Sequence, residues 1–167
     1  MRFLCDHHRD TVMNSMDSAL YFWQQWLQQG GEHFQQQQWT QATRFLGCCF
    51  EVADWLLGQT AAQLNTLNTQ EMNPASRYML AGHQLAESLG RGGDHDLELH
   101  YLLTVHTTLL QQIKNKTFPL PLLQHYLEIS LAMLKRYCQN CGQFKGYNDC
   151  YLETRLCIDQ SQVKFLH

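Results

Sequence analysis

WTQATRFLGCCFEVADWLLG, residues 39–58, is the stretch that decides the fold. Trp39, Ala42, Leu46, Cys49, Ala53 and Leu56 recur at steps of 3, 4, 3, 4 and 3. A helix of 3.6 residues per turn puts such positions on one face, whereas a strand would place them on alternating sides. The segment therefore reads as a helix over 32–57, with Gly58 as its left-handed stop. Upstream, Val12, Met16, Ala19, Trp23, Trp26 and Leu27 form a second stripe, a helix over 11–29 that Asp6 or Asp10 can cap and that Gly30-Gly31 interrupts. Elsewhere β-branched residues are sparse and strand-like alternation is absent.

Downstream the same spacing repeats. Residues 59–72 are polar apart from Leu64 and Leu67 and read as a linker with one helical turn. Asn73 is a good N-cap and Pro74 is pre-set for the first helical position, so a helix runs over 73–90 with Tyr78, Met79, Gly82, Leu85, Ala86 and Leu89 inward. After the Gly92-Gly93 turn, Asp94 suits the positive end of the next helix, whose stripe is Leu99, Leu103, His106, Leu110 and Ile113. A helix over 119–140 is apolar on most of its circumference, and a last one spans 147–163 with Asn148 and Asp149 as its cap signal. Short breaks favour antiparallel neighbours. The expectation is a single all-α domain, 1–167, of about six helices in three antiparallel hairpins over 11–57, 74–115 and 119–165.

One unit, about residues 23–56, resembles a tetratricopeptide repeat. The residues that carry the resemblance are Trp26, Gly30, Trp39, Ala42, Leu46 and Cys49: a glycine on the first helix lets the second approach, and aromatics fill the space beside them. Tyr78 and Gly82 repeat only the opening pair, and Asp54 stands where the family has its closing proline. The family register would also carry the first helix through Gly30-Gly31, at about 1 kcal/mol per interior glycine. The architecture is thus a right-handed stack like that of the family or an irregular bundle. The resemblance implies binding of another protein or a peptide on a surface that Gln24, Leu27, Gly31 and Phe34 would line, although Leu27 and Phe34 also suit a core.

Composition narrows the function. Net charge is −3 with scattered Lys and Arg, so no basic stripe serves nucleic acid. No apolar run reaches the roughly 20 residues of a membrane span. The N-terminal stretch turns polar by Asp6, unlike a signal peptide, and seven cysteines, an odd number, read as mostly free thiols in a reducing cytoplasm.

Candidate chemistry is thin. Cys138 and Cys141 form a CxxC at a helix end, with Cys150 and Cys157 beyond. Four thiolates can hold zinc, but a spacing of seven separates the second pair by about 10 Å along a helix. Core or surface thiols are the simpler reading, so no metal or cofactor is called for. Cys5, His7 and His8 cluster near the start. His95 and His100 are five apart, off a shared helical face, and His106 on an apolar stripe reads as a buried, hydrogen-bonded histidine. His83 lacks the neighbouring lysine of a phospho-acceptor site. No GxSxG elbow occurs, and the GRGG of residues 90–93 is a helix stop and turn. The reading is a non-catalytic scaffold or chaperone-like adaptor for another protein, with self-association into a homo-dimer as one form. The alternative is a small all-α sensor or enzyme that binds metal through Cys and His. The aromatics Tyr21, Phe22, Trp23 and Trp26 cover more than one face of their helix and leave some surface for a partner.

Overall fold

The computed structural model describes residues 2–60, 73–142 and 144–163; among them the regular structure is wholly helical. The helices are α1 (Asp6–Val12), α2 (Met16–Gln35), α3 (Trp39–Thr60), α4 (Pro74–Arg91), α5 (His95–Lys114), α6 (Leu120–Cys141) and α7 (Phe144–Val163). The all-α expectation holds; the count is seven rather than about six. The extra helix arises because the expected 11–29 segment breaks at residues 13–15. There Ser15 is extended and its hydroxyl accepts a bond from the Ser18 amide at 3.1 Å, starting α2 afresh. Val12 and Met16 stand four apart, so the apolar period runs through this break without showing it.

Gly30-Gly31 does not end the helix. A Cβ on Gly30 would stand 2.6 Å from Leu46 Cγ and 2.7 Å from its Cδ2, so the missing side chain is the space Leu46 occupies. The cost of a helical glycine is offset by that approach. The reversal falls later, at Gln37, which takes the left-handed φ of 58°. Gly58 likewise lies within α3 rather than stopping it. The linker reading of 59–72 falls outside the described residues from 61 onward.

Two compact units divide the described chain, 1–101 and 102–167. In the first, α3 packs against both α2 and α4. Ala42, Leu46, Cys49, Val52, Ala53 and Leu56 are all buried, as the 39–58 stripe requires. Trp23 of α2 and Tyr78 of α4 are buried against α3: the Cys49 thiol donates to the Trp23 carbonyl at 3.4 Å, and the Tyr78 ring lies 4.9 Å from that of Phe50. Polar ties cross the α3–α4 seam: Thr43 Oγ1 and Ser88 Oγ are 3.0 Å apart, and the Ser88 hydroxyl also reaches the Trp39 carbonyl at 3.4 Å. The buried Arg77 guanidinium sits 5.7 Å from the centre of the Trp23 ring, where its charge meets the ring's negative face. Asn73 caps α4 through the Ser76 amide at 3.0 Å, as its sequence indicates.

In the second unit, α6 packs against α7. Leu123, Leu127, Leu131, Leu134, Tyr137 and Cys138 are buried on one side of α6, while Gln124, Leu122, Ile129 and Met133 keep partial exposure. The helix is therefore one-sided, not apolar all round. Leu109, Leu110 and Ile113 of α5 are buried in the same unit, and each fully buried leucine contributes about 2 kcal/mol of transfer free energy. Gly142 closes α6 with φ 71°, a left-handed turn that favours glycine.

Candidate functional site

The first unit carries a groove along α3. Residues 2–5 lie across that helix ahead of α1, held by backbone and ring. The Glu51 carboxylate accepts from the Phe3 amide and, at 3.4 Å, from the Leu4 amide. The Phe3 ring rests on Gly47: a Cβ there would fall 2.2–2.3 Å from three of its carbons. Leu4 is buried. Gly47 interrupts an otherwise apolar helical run, and the aromatic seated on it accounts for the missing side chain.

Two concavities flank this strap. One, of about 700 Å³, is lined by Arg2, Phe3, Trp39, Thr43, Arg44, Leu89 and Asp94 among others. The other, of about 510 Å³, is lined by Phe3, Leu4, Cys5, His8, Trp26, Gln41, Arg44, Phe45 and Cys48. Phe3, Gln41 and Arg44 belong to both. In the second, Cys5 Sγ lies 2.9 Å from His8 Nδ1, within hydrogen-bonding reach, and both side chains are exposed. Cys48 presents its thiol toward the Phe3 carbonyl at 3.9 Å. Burial, reinforced by the Glu51 charge, pushes that thiol up to about 11, so it stays protonated. Cys49, deeper in α3, is pushed up further by the same cause.

The second unit buries a few polar groups within its apolar core and leaves apolar side chains exposed. His106 is fully buried, and its Nε2 stands 3.0 Å from Thr154 Oγ1. The Thr154 hydroxyl donates to the Cys150 carbonyl at 2.7 Å, so the imidazole donates through Nε2 and leaves Nδ1 without a partner. Burial lowers His106 to about 4, against the opposing pull of the Cys150 carbonyl and Glu153. On α7, Thr154 and Ile158 are buried, whereas Leu152 is 59% and Leu156 60% exposed one turn apart, with Tyr151 beside them at 43%. Tyr147 and Tyr151 pair their rings at 6.3 Å.

No family model, curated protein or solved structure matches this chain.

The residues named from sequence are distributed as follows. Gln24 is exposed, Leu27, Gly31 and Phe34 are half-buried, and the Phe34 ring meets Trp39 edge-on at 5.1 Å. A Cβ on Gly31 would meet nothing within 4 Å, so this flank of α2 is open there. Neither concavity includes these four residues; Trp26 is the one α2 residue that lines either. Cys138 is buried and Cys141 exposed. Burial raises the Cys138 thiol, and Cys138 is near enough to Cys150 for its charge to raise that thiol as well, after burial and the neighbouring carboxylates Glu153 and Asp149. Among the described residues no group of three or more His, Cys, Asp or Glu gathers where it could hold an ion. No described helix is long and apolar enough to cross a membrane. Sequence reading noticed Cys5 and His8 but missed Phe3, Gly47 and Glu51. The glycine in the middle of the 39–58 stripe was the available signal for the strap.

Proposed function

We propose that this protein is a helical interaction module that binds another protein, with the outward face of α7 as its contact surface. The observation that carries the reading is the exposure of Leu152 and Leu156, four residues apart on a helix whose opposite face, Thr154 and Ile158, is already buried; Tyr151, at the edge of that buried face, is also 43% exposed. A helix needs apolar residues on only one side to pack onto its own core. Two leucines one turn apart on the other side supply an aliphatic surface of the kind by which helix faces bind partners. The tetratricopeptide-like spacing of Trp26, Gly30, Trp39, Ala42, Leu46 and Cys49 agrees with such a role.

The test is site-specific photo-crosslinking in the native cell. A photoreactive phenylalanine analogue at position 152 or 156 gives one discrete protein adduct, the same from both positions. The analogue at Ala132, exposed on α6, gives none. An adduct of twice the chain's mass identifies the partner as a second copy. No adduct from 152 or 156, or the same adduct from 132, ends the proposal.

A further inference from the structure

The α7 reading leaves the groove of the first unit unexplained, and that groove brings together a thiol, a base, a cation and an apolar wall. Cys5 is exposed, and the His8 imidazole nitrogen at 2.9 Å is placed to accept its proton. Both line the concavity of about 510 Å³ together with Trp26, Phe45 and Arg44. Two carboxylates at the strap have partners: Asp6 pairs with Arg2, and Glu51 receives the Phe3 and Leu4 amides. Arg44 is the one guanidinium among the residues lining this concavity, which include no carboxylate, so the wall itself offers an anion a partner, while the Glu51 charge reaches Cys48 from behind it.

We propose that Cys5, with His8 as its base, is a thiol–disulfide exchange site for a small disulfide bearing carboxylate groups. The inference stands independently of the α7 surface. His8 takes the proton from the Cys5 thiol, and the thiolate attacks one sulfur of the visiting disulfide. The new bond joins Cys5 Sγ to that sulfur while the old S–S bond breaks. The departing thiolate takes the proton back from the imidazolium and leaves as a free thiol. The disulfide is the oxidant, one half of it is reduced, and Cys5 ends as a mixed disulfide. Trp26 and Phe45 provide the apolar wall against which the bound portion rests, and Arg44 pairs with its carboxylate. Cys48 lines the same concavity, and burial pushes its thiol up, which slows its attack on an adduct at Cys5.

Cys141 is an internal reference, a second exposed thiol of the same chain. The full-length protein is mixed at neutral pH with dithiobis(nitrobenzoate), which carries carboxylates, or with neutral dipyridyl disulfide. Adducts at Cys5 and Cys141 are timed by peptide mass spectrometry. Cys5 reacts about a hundredfold faster than Cys141, the low end of what a positioned base supplies, and His8→Gln removes that advantage. Added imidazole restores part of the lost rate, a recovery that a merely structural role for His8 would not show. Arg44→Gln slows the carboxylate-bearing reagent and leaves the neutral one unchanged. Equal rates at Cys5 and Cys141, or a His8→Gln protein as fast as the parent with an unchanged unfolding curve, overturns the thiol–base pair. An Arg44→Gln protein that treats both reagents alike overturns the anion subsite.

Discussion

The α2–α3 contact and the α5–α7 contact solve one problem by opposite means. Where α2 meets α3, a residue is reduced to nothing: Gly30 gives up its side chain so that Leu46 can fill the space. Where α5 meets α7, a polar group is kept: His106 is buried whole and bonded to Thr154. The first contact depends on shape, which acid does not alter. The second depends on a protonation state, which acid does. The contrast shows that a helix seam of a few residues can be either indifferent or sensitive to its solvent, according to one side chain.

The largest expected effect tests the sensitive seam. His106 sits at about 4 in the folded protein, below its ordinary 6.5. A group lowered on folding is held in its neutral form, so the stability it confers is complete above pH 6.5 and is lost as pH falls toward 4. The gap corresponds to about 3 kcal/mol in total, of which about 2 kcal/mol disappears between pH 7 and 5. Urea unfolding of the full chain across that range should show the slope, and His106→Gln should flatten it. An equally steep slope in the variant would mean that other groups carry the acid response.

A smaller effect tests the indifferent seam. Gly30→Ala forces a methyl against Leu46 and costs about 1–2 kcal/mol after the helix-propensity gain is counted. Gly31→Ala, next in sequence, meets open space and gains about 0.5–1 kcal/mol. Denaturation midpoints moving in opposite directions for adjacent glycines would confirm that packing, not backbone freedom, keeps Gly30. The same sign for both would refute it.

The smallest effect belongs to the outward face of α7. Leu152→Ser with Leu156→Ser should change folding stability by less than about 0.5 kcal/mol, since neither side chain is buried. A loss above that, read from the same urea curves, would assign the two leucines to the protein's own core.

The sequence carried the helices because their apolar period is a physical requirement of one-sided burial. It carried the Asn73 cap because only a few residue types accept an amide bond there. It misplaced the break between α1 and α2, since Ser15 interrupts the backbone without interrupting the four-residue step from Val12 to Met16. It placed a stop at Gly30-Gly31 because a glycine's cost is local and visible, whereas the leucine that compensates for it lies sixteen positions on. The groove was less legible still. A carboxylate binding two amides 47 and 48 residues away leaves no periodic trace. His106 was the exception among polar residues: its place on an apolar stripe announced its burial, though not its Thr154 partner.

Glu51 grips the strap by its main chain at residues 3 and 4. The next residue is Cys5, so the sulfur's distance from α3 is set by a ruler one peptide long. Proline at position 3 or 4 would release that mark, because proline alone lacks the amide hydrogen being held, while the Phe3 ring on Gly47 and the buried Leu4 hold the strap by side chain as well. A carboxylate in the middle of α3 thereby helps decide where a thiol more than forty residues away in sequence stands.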